Sequence, residues 1–261
     1  MRKEVRDRLL EINREFYQSF AGPFVDKRER LQPGLLRAIE DLPMDAQVLE
    51  LGCGHAPLAS HLQRLGFHGA YIGLEQSEAL LERRSKALRP PTFEFRRADF
   101  SEPTWPESLA KTELSDPKLP ERLQHAGRFD WVLAFAVIHH FPAEELRLAI
   151  LTEIRRLLSP TGWFALSVWD FMNSSRLRGR IVPWAQAGLS AGEVGPADYL
   201  LDWRHGGKGL RYVHHFTGEE LHRLAEKAGF QVLEQYQSDR GLGLYQHWRP
   251  NPRDRFHVGS G

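Results

Sequence analysis

An acid and a pair of glycines have the types and spacing needed to bind a nucleoside. Gly52 and Gly54 let the backbone turn sharply and approach a ligand without a Cβ in the way. Glu75 follows Gly54 by 21 positions, where a nucleotide-binding fold places an acid that accepts hydrogen bonds from both ribose hydroxyls. Ala56 and Pro57 stand where a dinucleotide fingerprint continues to its third glycine. The pattern therefore predicts a nucleoside-type cofactor rather than NAD.

Short apolar runs and a helix must position these residues. Residues 48–51 form a run suited to a buried parallel strand, with Glu50 near its carboxyl end. Residues 58–66 have apolar side chains at helical spacing and end in a glycine. Residues 70–74 form a second strand, and Glu75 stands at its carboxyl edge. Strand, glycine turn, helix and strand make the first βαβ unit of a nucleotide-binding sheet.

These motifs resemble those of a known enzyme family. The pattern E-x-G-x-G at 50–54, the acid after the second strand and the segment FEFRRADF at 93–100 resemble the class I S-adenosylmethionine-dependent methyltransferases. That resemblance implies an α/β fold: a Rossmann-like sheet of seven strands with the last one antiparallel, helices on both faces, and an insertion before the last helix. It also implies S-adenosylmethionine as the cofactor, with Glu75 at the ribose and Asp99 at the adenine amino group. The implied cofactor contacts are Glu50, Gly52, Cys53, Gly54, Glu75, Gln76, Asp99, Phe100, Phe135 and Ala136, together with Tyr17 from an N-terminal helix.

Composition limits the other function classes. The 261 residues carry a net charge of +1, which does not by itself indicate nucleic-acid binding. The single cysteine, Cys53, excludes an internal disulfide and a cysteine-rich zinc site. No apolar run approaches the roughly 18 residues of a membrane-spanning helix, and the N-terminus is charged throughout. We expect a cytoplasmic protein without membrane contact and without a structural metal.

The chain divides into three expected parts. Residues 1–44 are expected to form a helical lid, in which residues 1–20 have the pattern of an amphipathic helix. Residues 45–249 are expected to form the methyltransferase domain, with insertions at 101–127 and 171–216. Residues 250–261 are expected to be a frayed tail. In the second insertion, six basic residues (Arg176, Arg178, Arg180, Arg204, Lys208 and Arg211) stand against Glu193, Asp198 and Asp202. Interleaved with Trp184, Tyr199, Trp203 and Tyr212, they could hold phosphates and stack bases, or the aromatics could simply pack on the sheet.

A pair of histidines follows the strand expected at 131–135. His139 and His140 lie at the carboxyl edge of the sheet, where open α/β sheets place their chemistry. No cysteine and no acid at ligand spacing accompany them, so the pair is weak evidence for zinc. Members of the methyltransferase superfamily have a similar turn. By that resemblance the first histidine packs and orients the loop over the methyl donor.

A narrower resemblance comes from the second insertion. The segments DYLLDW (198–203) and RYVHHFTGEEL (211–221), with the turn AVIHHF, resemble the eukaryotic-type tRNA methyltransferases that esterify the carboxymethyl group of wobble uridine. Asp202, Val213 and Thr217 depart from that family's pattern of proline, tyrosine and arginine. The resemblance implies tRNA as the substrate and a small zinc-binding activator subunit as a partner.

The chemistry leaves the acceptor open. A carboxylate is ionised at neutral pH and needs no general base, but it needs a cationic clamp in a dry site. Arg211, Tyr212 and His214 are the expected clamp, because a guanidinium offers two parallel hydrogen bonds. A hydroxyl or amine acceptor would instead need a base, for which His139, His140 and His214 are candidates. The alternatives are therefore a tRNA methyltransferase and an enzyme that methylates a small acid or phenol. A non-catalytic scaffold is disfavoured because the glycines, Glu75 and Asp99 are intact.

Overall fold

The computed structural model describes residues 1–25, 30–89, 92–109 and 129–252. Most of the insertion expected at 101–127 lies outside the described residues, as does the tail from 253 to 261. Of that insertion, residues 105–109 form a short 3-10 helix whose Trp105 and Leu109 are buried.

Among the described residues, seven strands form one mixed sheet, and two more form a hairpin. The strands are β1 (Gln47–Leu51), β2 (Ala70–Glu75), β3 (Phe93–Arg97), β4 (Phe129–Phe135), β5 (Leu158–Trp169), β6 (Asp198–Trp203), β7 (Gly209–His214), β8 (Phe230–Ser238) and β9 (Gly243–Pro250). The sheet order is β3-β2-β1-β4-β5-β9-β8, and β9 runs antiparallel to both of its neighbours. Strands β1 to β5 are parallel. The expected seven-stranded sheet with its last strand antiparallel is confirmed.

Helices cover both faces of this sheet. They are α1 (Lys3–Ser19), α2 (Ala21–Val25), α3 (Pro33–Ala38), α4 (Pro57–Arg64), α5 (Glu78–Leu81), α6 (Glu144–Leu157), α7 (Ser175–Arg178) and α8 (Gly218–Lys227). Successive residues of β1 point to opposite faces, so Leu49 packs with α6 and α8 while Val48 packs with α4. Residues 48–51 of β1 are buried, and three of them are apolar, which is typical of a central parallel strand.

The second insertion forms a separate layer above the sheet edge. Strands β6 and β7 pair antiparallel, with Leu200 opposite Tyr212. Helix α1 packs on this hairpin, since Val5, Leu9 and Ile12 share one apolar cluster with Leu200 and Tyr212. The hairpin precedes α8, so the insertion expected before the last helix is confirmed. In the part of the chain that the structure describes, no helix combines the length and apolar character that crossing a membrane requires.

Candidate active site

A cavity of about 340 Å³ opens at the carboxyl edge of the central strands. The glycine turn and Glu75 form its floor, and the loop after β4 forms one wall. Tyr17 from α1 and Arg211 from β7 close it from above. The position agrees with the general rule that open α/β sheets bind ligands beyond the carboxyl ends of their strands.

The glycine turn needs its glycines for two different reasons. Both have positive φ, +68° at Gly52 and +59° at Gly54, a region that side chains with a Cβ adopt at a cost. A Cβ at Gly52 would lie 2.5 Å from Val137 Cγ2, whereas a Cβ at Gly54 would meet nothing within 4 Å. Gly52 therefore packs against the loop after β4, and Gly54 leaves open space beside the cavity that it lines.

Glu75 is held in place by backbone amides. Its Oε2 accepts a hydrogen bond from Gly54 N at 2.9 Å, and its Oε1 accepts one from Ser77 N at 2.9 Å. Burial raises the pKa of Glu75, and the amides of Ser77 and Gly54 oppose that shift. A buried carboxylate with lone pairs remaining, at the cavity floor, suits a ribose whose two hydroxyls donate hydrogen bonds.

A second buried acid, Glu50, lines the same cavity, as does Cys53. Glu50 accepts a hydrogen bond from the Tyr71 hydroxyl, and burial raises the pKa of Glu50 to about 7. Cys53 is buried beside it, and burial raises the pKa of its thiol well above its ordinary value. Cys53 is therefore a small packing residue at neutral pH rather than a thiolate nucleophile.

The other residues expected to contact the cofactor fall into two groups. Gln76, Phe100, Phe135 and Ala136 line the cavity. Asp99 instead joins an ion-pair network, in which its Oδ2 accepts from Arg14 Nε at 3.1 Å and from Gln76 Nε2 at 2.8 Å. Its other oxygen accepts from Ser101. The contact between Asp99 and an adenine stays a prediction. Taken together, the floor and walls fit a nucleoside cofactor.

The histidine pair joins the loop after β4 to its neighbours. Nδ1 of His139 accepts from Trp169 N at 3.2 Å, and His139 is almost fully buried. Nδ1 of His140 lies 3.1 Å from Tyr212 O, and Nε2 of His140 lies 2.7 Å from the Tyr17 hydroxyl. Because a carbonyl only accepts, Nδ1 of neutral His140 donates and its Nε2 accepts from Tyr17. His140 thus links α1 to β7 across the cavity, a role that the sequence did not indicate.

Arg211 brings a buried cation to the cavity wall. The residue is 8% exposed, and its guanidinium carbon lies 4.4 Å from the Trp169 ring centroid and 5.1 Å from that of Phe16. Burial lowers the pKa of Arg211, and the Tyr17 hydroxyl partly offsets that shift. Among the described residues, its Nε has no hydrogen-bond partner. A buried guanidinium whose donors are incompletely used has the chemistry to bind an anion.

The structure does not bring the three residues of the expected clamp together. Tyr212 is fully buried, and its hydroxyl donates to Asp198 Oδ1 at 2.7 Å. His214 lies between Asp198 Oδ1 and Glu220 Oε1, at 2.8 Å from each. Neither lines the cavity. The reason is the period of two along a strand, which places Arg211 on one face of β7 and the other two on the opposite face.

Tyr212 is also unable to stack on a base, because it belongs to the apolar cluster under α1. The buried network that it forms with Asp198, His214 and Glu220 joins the hairpin to α8. These residues anchor the insertion instead of contacting a ligand. As for metals, the residues described contain no cluster of three or more His, Cys, Asp or Glu side chains that could hold one.

Comparison with known proteins gives a consistent picture. The family described as "Methyltransferase domain" matches residues 24–235. A tRNA (carboxymethyluridine(34)-5-O)-methyltransferase of Schizosaccharomyces pombe is 25% identical over 242 residues, covering 84% of this chain and 89% of the relative. One of the same name from Xenopus tropicalis is 30% identical over 153 residues, covering 59% of this chain. The alignment spans only 20% of the length of that frog relative.

Solved structures support the fold. One is the complex between the Haloferax volcanii Trm112 methyltransferase activator and a putative methyltransferase, with a TM-score of 0.60 and 15% identity. The match covers 91% of this chain and 97% of that one.

Proposed function

Because the chain belongs to the methyltransferase-domain family and is an S-adenosylmethionine-dependent methyltransferase, we propose that its acceptor is a carboxylate. We further propose that this carboxylate is the carboxymethyl group of a wobble uridine in tRNA. The observation that carries the proposal is the Arg211 guanidinium, buried in the cavity wall with an unused Nε–H.

Arg211 suits a carboxylate better than a neutral acceptor. Its planar fork can donate two parallel hydrogen bonds to the two oxygens of one carboxylate. The stacking on Trp169 and Phe16 fixes the plane of the fork and keeps water from it. Within the described ranges no acid of the protein forms an ion pair with Arg211, so an incoming carboxylate would be its counter-ion.

The reaction then needs no proton transfer. When bound, S-adenosylmethionine supplies a methyl group on a sulfonium, and a carboxylate oxygen displaces the thioether so that both charges disappear. Arg211 holds the carboxylate so that one of its lone pairs points at the methyl carbon, and such positioning supplies much of the rate. Because the carboxylate loses its charge in the reaction, Arg211 contributes to binding and orientation rather than to stabilising new charge.

Two further observations support a tRNA acceptor. The relatives from fission yeast and frog bear the name of tRNA carboxymethyluridine methyltransferases. The second insertion exposes Arg176, Arg178 and Lys208 on its surface, and exposed cations of this kind contact phosphates. The proposal therefore places the nucleotide's anionic side group at Arg211 and the RNA backbone on the insertion.

A small zinc-binding activator subunit and a cytoplasmic location are part of the same proposal. The support for the subunit is the Haloferax complex, in which a methyltransferase is bound to the Trm112 activator. Co-purification of a tagged form of this chain with its cellular partners tests the subunit. Recovery of the chain alone from cells that contain such a subunit would contradict it.

The acceptor is tested by methyl transfer from radiolabelled S-adenosylmethionine into bulk tRNA. We expect label in the tRNA that mild alkali releases, because an ester hydrolyses under conditions that leave N-methyl and C-methyl groups intact. We expect Arg211→Ala to lose that label. Alkali-stable label would contradict a carboxylate acceptor. Tight binding of S-adenosylmethionine with no label in any tRNA would instead favour the methylation of a small acid or phenol.

A further inference from the structure

Asn13 is a buried polar residue on the apolar face of α1. It is 6% exposed and lies between Ile12 and Phe16, both of which are buried. Its Oδ1 accepts a hydrogen bond from Tyr212 N at 2.9 Å, and its Nδ2 donates to Tyr212 O at 3.2 Å. A side-chain amide thus pairs with β7 as a neighbouring strand would.

The outer edge of β7 needs such a partner. Strand β6 pairs with the other edge, so the N–H and C=O of Tyr212 face away from the hairpin toward Asn13. Both groups are buried beneath α1, where an unpaired backbone group would cost free energy comparable to a lost hydrogen bond. Asn13 is therefore a structural requirement of this edge rather than an incidental contact.

Three elements meet at this amide. Besides Tyr212, Nδ2 of Asn13 lies 3.3 Å from His140 O, and Nδ1 of His140 approaches the same Tyr212 carbonyl at 3.1 Å. Helix α1, the histidine turn and β7 are joined there. Arg211 directly precedes Tyr212 on β7, so a bond that fixes the backbone of Tyr212 also fixes the direction in which Arg211 leaves the strand.

We infer that Asn13 is a positioning residue for the acceptor site. By pairing with the adjacent peptide units of β7, Asn13 holds Arg211 against Trp169 and Phe16. The functional meaning of this role rests on the proposed function, in which Arg211 binds the acceptor. The geometric role of Asn13 does not depend on which acceptor is used.

The geometric role is tested by NMR on ¹⁵N-labelled protein saturated with S-adenosylhomocysteine. The Nε–H signal of Arg211 is identified by its loss in Arg211→Lys. We expect Asn13→Ala to shift or broaden this signal. Val5→Ala is the matched control, because Val5 shares the apolar cluster of Tyr212 but its side chain cannot hydrogen-bond to β7. Val5 lies about 12 Å along α1 from Asn13 at 1.5 Å per residue. The control should leave the signal in place.

The functional role is tested by a double-mutant cycle on kcat/KM with tRNA. A misplaced binding group costs about 10- to 100-fold, and we expect a loss in this range for Asn13→Ala alone. In the Arg211→Lys background we expect the same change to cost only about 2-fold, because residues that act through one another are not additive. If Asn13→Ala does not fold, Asn13→Asp replaces it, since the carboxylate keeps the acceptor for Tyr212 N and loses the donor to both carbonyls.

Two results would overturn the inference: an Arg211 signal that is unmoved by the Asn13 change, or losses that simply multiply in the double variant. If Val5→Ala shifts or broadens the Arg211 signal as much as the Asn13 change does, Asn13 stabilises α1 in general and does not position Arg211. If wild-type protein transfers no label to tRNA, the proposed function fails, whereas the NMR comparison still decides the positioning role.

Discussion

The floor of the active site consists of the glycine turn and Glu75, and the cap above it consists of α1 and the second insertion. The two regions differ in the sequence separation of the residues that they bring into contact. At the floor, Gly54 N donates to Glu75 across 21 positions, within a single βαβ unit. In the cap, Asn13 contacts Tyr212 across 199 positions and Tyr17 contacts His140 across 123. The floor is a local product of strand, turn and helix. The cap requires α1 and the second insertion to pack together over the sheet, and its contacts join distant parts of the chain.

This difference suggests that the floor binds the cofactor and that the cap selects the acceptor. The floor residues fit a cofactor that is common to a whole superfamily, and their geometry follows from a short motif. The cap brings Arg211, Trp169 and Tyr17 together, and these residues would decide which acceptor is methylated. Changes in the floor should therefore alter cofactor binding, and changes in the cap should alter acceptor binding.

The largest effect is expected from the two glycines of the floor. Gly52→Ala adds about 1–2 kcal/mol of left-handed backbone strain and about 1–3 kcal/mol of overpacking against Val137, so the free energy of unfolding should fall by their sum. Gly54→Ala adds the strain alone, because its Cβ meets no protein atom. Its Cβ would enter the cofactor space instead, and we expect the Kd for S-adenosylmethionine to rise about tenfold or more.

Chemical denaturation and calorimetric titration of S-adenosylmethionine measure these two quantities for both variants. Equal losses of stability in the two proteins would contradict the assignment of Gly52 to packing and Gly54 to the ligand.

A smaller effect is expected from the pH dependence of the network that anchors the cap. Burial alone would lower the pKa of His214, but its bonds to Asp198 and Glu220 raise it above its ordinary value, against the opposing charge of Arg147. Burial acts in the opposite direction on the two acids, and their bonds to His214 lower the pKa of each.

The directions of these pKa shifts define the pH range in which the network stabilises the fold. The contribution of His214 is complete below its unfolded pKa of 6.5 and is lost as pH rises through the raised folded value. The contribution of the acids is complete above their unfolded values of 3.8 and 4.5 and is lost as pH falls through the lowered ones.

We therefore expect His214→Gln to reduce the free energy of unfolding most between pH 4.5 and 6.5, and less on either side. Urea denaturation of wild type and variant across this range measures the difference. A difference that does not vary with pH would show that His214 acts through packing alone.

The same contrast explains what could be predicted from the sequence. The sheet, its antiparallel last strand and the glycine turn follow from local patterns, such as apolar runs that end in glycine or an acid. A motif points to Arg211, but it groups Arg211 with Tyr212 and His214 without regard to the alternation of side chains along β7. With the alternation of strand 209–214 in view, Tyr212 and His214 fall on the face opposite Arg211.

Other features of the cap could not be predicted. Asn13 is a polar residue on the apolar face of an amphipathic helix, which is a weak indication that it makes a buried hydrogen bond. Its partner on β7 could not be deduced, because nothing in the local sequence says which strand α1 covers. The link between Tyr17 and His140 has the same character, since Tyr17 was expected to meet the cofactor and not a histidine.

The most direct test of the account is the KM for tRNA in two variants of neighbouring residues on β7. Arg211→Lys removes the fork but keeps a charge, and a lost charged hydrogen bond corresponds to about a 10- to 100-fold rise in KM. We expect the Kd for S-adenosylmethionine to stay unchanged in this variant. Tyr212→Phe removes a bond to Asp198, so it should lower stability by about 1–3 kcal/mol and leave the KM unchanged. A KM that responds to Tyr212→Phe as strongly as to Arg211→Lys would contradict the assignment of Arg211 as the acceptor's clamp.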